Sequence, residues 1–221
     1  MGARYLMLIA GCVLVLTPKA MVAQRAALAV AAASDLQAVM PELAGRFERD
    51  TGISATVSFG SSGNFFAQLQ NGAPYDVFFS ADVDYPKRLI ADGHAEADTL
   101  YEYAAGHLVL WTRADSGIDI RRGLEVLTDP RVQRIAIANP NFAPYGRAAA
   151  AALRHEQLYD RVMTKLVLGE NIAQTAQFAQ TGNAQVALIS LSLALGPALK
   201  SGTHALDAAA RLVPAVRSNP E

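Results

Sequence analysis

Five short segments of the chain combine hydroxyl-bearing and small residues at points where a strand is read as feeding a helix. They are Ala31-Ala32-Ala33-Ser34-Asp35, Ser58-Phe59-Gly60-Ser61-Ser62-Gly63-Asn64, Ala143-Pro144-Tyr145-Gly146, Gly169-Glu170-Asn171-Ile172 and Ile189-Ser190-Leu191-Ser192. A helix start presents backbone N–H groups without intrahelical partners and a partial positive charge. A serine at such a start adds a hydroxyl donor. Several of these starts converging on one point make a pocket for an anion that needs neither lysine nor arginine. The chemistry this suggests is reception of an oxyanion rather than catalysis.

Other chemistries fit the spacing less well. Phe59-Gly60-Ser61-Ser62-Gly63 lacks the second glycine of a nucleophile elbow, because Asn64 stands where Gly-x-Ser-x-Gly requires it. No Gly-Lys-Ser/Thr follows to make a phosphate loop of the nucleotide-binding kind. His94, His107, His155 and His204 are scattered and have no cysteine partners, so a zinc site is not expected. Asp76, Asp82 and Asp84 cluster near a strand end, where Asp82 and Asp84 are read as helix caps rather than cation ligands. Arg121-Arg122 and Arg131 with Arg134 read as solvated charge.

The elements that must position the five segments follow from periodicity. Leu28–Ala33 is a continuous apolar run, as in a strand covered on both faces. Ser34 is read as the N-cap of a helix carrying Leu36, Val39, Met40, Leu43 and Phe47 at helical spacing, ended by Thr51-Gly52. A strand over 53–59, a turn over 60–63, a helix over 64–70, a strand over 75–80 and a helix over 83–92 complete a β-α-β-α-β unit. From about residue 104 a second unit follows, with strands at 107–112, 135–138, 166–168 and 186–189. Its helices are read at 123–127, at 144–157 with Pro144 at its start, and at 172–180. The fold class is therefore α/β, with mostly parallel sheets in two lobes and the cleft where their strand ends meet.

Composition agrees with a globular exported chain. Of the 221 residues 52% are hydrophobic and 18% charged, which places the chain far from the disordered regime. A net charge of −1, with no basic run interleaved with aromatics, argues against a nucleic-acid partner. Arg4, the apolar stretch from Tyr5 to Leu16 and a cleavage point after Ala23 read as a signal peptide over 1–23. Its removal takes Arg4 and Lys19, lowering the basic count from 19 to 17 against 20 acidic residues and the net charge to −3. Cys12 is the only cysteine and lies in this segment, so no disulfide is expected. Anchoring of Cys12 as a lipoprotein is not expected either.

With these residues in view, residues 28–196 resemble the periplasmic molybdate-binding proteins of ABC transporters, which have the type II periplasmic-binding-protein fold. The resemblance rests on Ala31-Ala32-Ala33-Ser34, Phe59-Gly60-Ser61-Ser62-Gly63, Ala143-Pro144-Tyr145-Gly146 and Gly169-Glu170-Asn171-Ile172, on Gly72-Ala73-Pro74-Tyr75-Asp76-Val77-Phe78-Phe79-Ser80-Ala81-Asp82 and on Thr181-Gly182-Asn183-Ala184, all in the family's order. It implies a periplasmic, non-enzymatic solute receptor with no cofactor, whose ligand is molybdate or tungstate and whose partner is an inner-membrane permease. It also implies that Ser34 and Ser62 donate through hydroxyl and backbone, that Tyr145 and Ile172 donate through backbone N–H, and that Ser190 occupies a final side-chain position. Molybdenum enters only as the centre of the oxyanion, met through its oxygens. The expected state is a monomer, with a signal peptide at 1–23, a first lobe at 24–103 and a second at 104–197. Residues 198–221 either return to the first lobe or remain disordered.

Two departures from the family pattern stand out. Asp35 puts a carboxylate beside a binding serine, harmless if it points outward and repulsive to a dianion if it points in. Ala205–Glu221 does not match the family's closing segment, which leaves an expectation of an incomplete first lobe. A pocket of donors alone suits a fully deprotonated tetrahedral ion and would reject the O–H of monohydrogen phosphate. The alternatives are a receptor or sensor for another oxyanion such as sulfate or phosphate, and an exported hydrolase using Ser34 or Ser62.

Overall fold

A computed structural model describes residues 27–202. The signal peptide, Cys12, His204 and the segment Ala205–Glu221 lie outside the described residues.

Two sheets organise the chain. In the first, strand β1 (Leu28–Ala33) lies between β2 (Ala55–Gly60) and β3 (Val77–Phe79), and both pairings are parallel. β1 is central because its residues are apolar on both faces, and Ala31 and Ala32 are fully buried. Helices α1 (Met40–Thr51), α2 (Ser62–Gln70) and α3 (Asp84–Ala91) connect and follow these strands. Gly52, at φ 70°, closes α1 in the left-handed conformation that glycine adopts without strain.

The second sheet has the order β4-β7-β5-β6, built from β4 (Leu108–Thr112), β5 (Ile135–Ala138), β6 (Leu166–Gly169) and β7 (Val186–Ser190). β5 runs parallel to β6 and β7, whereas β4 is antiparallel to β7. Helices α4 (Pro144–His155), α5 (Tyr159–Val162), α6 (Ile172–Gln180) and α7 (Leu191–Leu195) belong with this sheet. Its core is the larger one, formed around β5 and β7 with Leu153, Leu158, Val162 and Ala179 packed against them. The mostly parallel α/β architecture read from the sequence is the one observed.

Local differences have local causes. The segment after β1 is not yet α-helical at Ser34. It makes one 3-10 turn over Ser34–Leu36, and the α-helix begins at Met40, with Pro41 in its first turn where a missing N–H costs nothing. Ser34 therefore does not cap the helix that follows it. Of that helix's apolar stripe only Met40 is buried, and Leu43 and Phe47 stay 47% and 36% exposed. α2 starts at Ser62 rather than Asn64, since Ser61 accepts the Asn64 N–H as its N-cap. Ile120–Thr128 forms 3-10 turns kinked at Gly123 (φ 69°, ψ −155°), where a short helix was expected. Asp82 accepts from Asp84 N at 2.9 Å, while Asp84 is itself the first residue of α3 and caps nothing. The short helices α5 and α7 carry too few residues for periodicity to reveal them.

Candidate functional site

Register brings the loop residues level. Ala33 pairs with Gly60 and Ala32 with Phe79, so Ser34, Ser61 and Ala81 leave the first sheet at one edge. Ala138 pairs with Gly169 in the second sheet, so the approaches to α4 and α6 leave together as well. These carboxyl ends of parallel strands face one another across a narrow cavity. It is lined by Ala33, Ser34, Asp35, Gly60, Ser61, Ser62, Ala81, Ala143, Pro144, Tyr145 and Ile172. Its free space is small, about that of one water molecule.

The hydrogen bonds around this cavity leave particular donors over. In α2, Gly63 N donates to Phe142 O at 2.9 Å and Asn64 N to Ser61 Oγ at 3.3 Å, while Ser62 N meets no acceptor among the described residues. In α4, Pro144 has no N–H and Gly146 and Arg147 donate to Ala143 O, which leaves Tyr145 N. In α6, Ala173 N donates to Ser34 Oγ at 3.4 Å and Gln174 N to Asn171 Oδ1 at 3.0 Å, which leaves Ile172 N. Each helix thus keeps one first-turn N–H unspent, and all three belong to residues lining the cavity.

The two serines are arranged alike. Ser34 Oγ accepts from Ala173 N, and Ser62 Oγ accepts from Ala81 N at 3.0 Å. An oxygen oriented by accepting an N–H keeps its own proton for donation, and no described residue takes either proton. Both serines are buried, Ser62 completely.

Four of the five expected residues, Ser34, Ser62, Tyr145 and Ile172, therefore line one cavity. Ser190 does not. It is fully buried and caps α7 by accepting from Leu193 N at 3.4 Å. Ser192 Oγ lies 2.8 Å from Asp35 O and 3.1 Å from Ser190 Oγ. The carbonyl can only accept, so the Ser192 proton goes to Asp35 and Ser190 supplies the proton of the other contact. Ser190 braces the loop that holds Asp35, a placement that a strand-end serine does not announce.

The expectation of a pocket with donors alone is corrected by Asp35. Its side chain points inward, lines the cavity and is 7% exposed. Tyr145 Oη donates to Asp35 Oδ2 at 3.2 Å, while Oδ1 has no hydrogen-bond partner among the described residues. Burial pushes the Asp35 carboxyl above its ordinary 3.8, and the Tyr145 hydrogen bond offsets only part of that. Burial, and then the Asp35 charge, hold the Tyr145 phenol above its usual range. The exclusion of monohydrogen phosphate consequently does not follow from the donor set, because a carboxylate can receive its O–H.

Further ties cross between the sheets without lining the cavity. Arg147 on α4 donates to Asp82 Oδ2 and, at 2.7 Å, to Tyr85 Oη, and it lies 5.2 Å from the Tyr85 ring. Within the first lobe, Tyr103 Oη donates to Ser80 O at 3.0 Å. Nothing local in the sequence marks Arg147, whose partners lie more than sixty positions away. Asp119 pairs with Arg121, and the largely covered Asp129 with Arg122 and Arg131, whose side chains are exposed. Asp76 accepts the Ala29 N–H at 2.7 Å. His94, His107 and His155 are exposed, and none lines the cavity beside Ser34 or Ser62.

Comparison with known proteins places the chain among receptors. Residues 28–218 match the family described as bacterial extracellular solute-binding protein. The molybdate-binding protein ModA of Azotobacter vinelandii is 41% identical over 170 residues, 77% of this chain and 67% of that protein. ModA of Rhodobacter capsulatus is 39% identical over 155 residues, covering 70% of this chain and 60% of the relative. The chain thus spans about two thirds or less of the length of these two relatives. The solved structure of the Azotobacter vinelandii periplasmic molybdate-binding protein superposes with a TM-score of 0.70 at 37% identity, over 74% of this chain and 71% of the other.

Proposed function

Because the chain belongs to the bacterial extracellular solute-binding proteins, we propose that it captures molybdate between its two sheets and delivers it to the permease of an ABC importer. The observation that carries this reading is the set of unspent donors: three first-turn N–H groups and two serine hydroxyl protons around one small cavity. Hydrogen bonds to a charged oxygen are worth roughly 1.5–3 kcal/mol each, so five of them can offset much of the cost of stripping water from a small dianion. The donors are uncharged, and among the described residues no lysine or arginine lines the cavity. The guest's charge is then met by three helix starts and fixed dipoles.

In this reading Ser34, Ser62, Tyr145 and Ile172 touch the oxygens of the guest, and residues 24–103 and 104–197 act as two lobes closing on it. Tungstate, of nearly the same size and charge, is bound as well. The similarity to two ModA proteins supports molybdate over other oxyanions. Export to the periplasm accords with the family and with the apolar leader at 1–23. Closure around the ion would present the permease with a surface formed by both lobes.

Thermal-shift titration with molybdate, tungstate, sulfate and phosphate tests the proposal. Molybdate and tungstate should raise the melting temperature at micromolar concentrations, and sulfate and phosphate should not. A melting temperature unmoved by millimolar molybdate, or a larger shift with phosphate, rejects it.

A further inference from the structure

A buried carboxylate ordinarily has partners for both oxygens, because an unpaired one loses its hydration without compensation. Asp35 has a partner for one. Tyr145 occupies Oδ2, while Oδ1 has no hydrogen-bond partner among the described residues, on a residue that lines the cavity. The elements packed around it supply no countercharge. Tyr145 on α4 and Tyr103, ahead of β4, are the titratable groups facing it. Ser192 on α7 donates to its backbone oxygen, and Ser61 and Ser62 at α2 and Ile172 at α6 form the neighbouring wall. The nearby cation on α4, Arg147, is committed to Asp82 and Tyr85. Among the described residues no arginine, lysine or histidine makes an ion pair with Asp35.

An ionised Asp35 would set a negative charge against an oxyanion in a site of low dielectric, where repulsion is strong. The same group as a carboxylic acid becomes a donor, like the serines beside it. We infer that the oxyanion and one proton bind together, the proton lying between Asp35 Oδ1 and an oxygen of the guest. Asp35 is then a specificity-determining contact of the site, an assignment that rests on the oxyanion reading above. The proton comes from solvent: an O–H bond forms at Oδ1 or on the guest, and no other bond changes. Whichever of the two formally owns it, the complex holds one proton more than the separated ions. Burial already favours the acid form, and the arriving anion favours it further. Tyr145 and Tyr103 are held protonated by burial and by the charge of Asp35, so neither accepts this proton.

Calorimetric titration of the chain with sodium molybdate, from about pH 6 to about pH 9 in buffers of different ionisation enthalpy, reads this directly. Affinity should fall as pH rises, approaching about tenfold per pH unit, with up to one proton drawn from the buffer on binding. Asp35→Asn keeps an acceptor for Tyr145 and offers an N–H donor, so its affinity should be independent of pH and its binding heat independent of buffer. A flat wild-type profile without proton uptake overturns the inference and leaves the receptor reading standing. A slope that persists in folded Asp35→Asn assigns the proton elsewhere and overturns it too. If molybdate gives neither binding heat nor thermal shift at any pH, the receptor reading fails and the inference falls with it.

Discussion

Two serines in the cavity wall share one device: each oxygen accepts a backbone N–H, and each proton is left for a guest. Ser62→Ala removes one donor and also leaves Ala81 N without its acceptor. A charged hydrogen bond of roughly 1.5–3 kcal/mol predicts a loss of molybdate affinity between about tenfold and a hundredfold or more, measurable by calorimetry. Ser190 makes the opposite case. Since it caps α7 instead of lining the cavity, Ser190→Ala should cost about 1 kcal/mol of stability and change affinity less than Ser62→Ala does. Denaturant melts and titrations on the two variants separate the roles. Asp35 carries a stability prediction of its own. Its carboxyl is raised above 3.8 in the folded chain, so its full contribution to stability is present below that value and is lost as pH rises through the folded one. Asp35→Asn should therefore melt above the wild type at about pH 7, with the gap shrinking toward about pH 4.

At the scale of elements, the sites of donation are helix starts, and their positions depend on caps. Moving the start of α2 from Asn64 to Ser62 turns Ser62 from a loop residue into one whose N–H points along the helix axis. Ser61 as N-cap does this, and either serine of the pair could have been the cap when read from sequence. Gly63 then brings α2 against the other sheet. Its N–H reaches Phe142 O, and a Cβ there would sit 2.5 Å from that oxygen and 2.8 Å from Tyr85 Oη. Backbone on one side leaves little room to yield. Gly63→Ala should destabilise the chain by about 1–3 kcal/mol and weaken molybdate binding, because α2 must retreat from the loop before α4. Chemical denaturation and calorimetry on the same preparation would show both effects. If binding is untouched, α2 is not held at the cavity by this contact.

At the scale of the molecule, the site exists only where two sheets meet, so whatever holds them together acts on affinity. Arg147 reaches from α4 to Asp82 and Tyr85 across the divide. The pair is partly solvated, with side-chain exposures of 40% and 24%, which limits it to about 1 kcal/mol. Arg147→Met should accordingly weaken molybdate binding only severalfold, and the radius of gyration in small-angle scattering should contract less on adding ligand. An unchanged affinity would mean that the sheets close without this clamp.

The strands at 28–33 and 135–138 and the helix at 172–180 were legible because continuous apolar runs, 3.6-residue spacing and capping residues are properties of neighbours along the chain. The donor-rich segments were legible for the same reason: an unpaired N–H at a helix start is a local consequence of helix geometry. What stayed hidden was direction. Asp35 and Tyr145 stand 110 positions apart, and their contact, the inward turn of the carboxylate and its unpaired oxygen arise where the start of α4 and the end of β1 line one cavity. Ser190 looked like a fifth donor and became a brace, because the side from which a loop is packed decides where its hydroxyl points. The kinds of donor are written in the local chain, whereas which of them share a cavity, and with what charge beside them, depends on contacts between residues far apart in sequence.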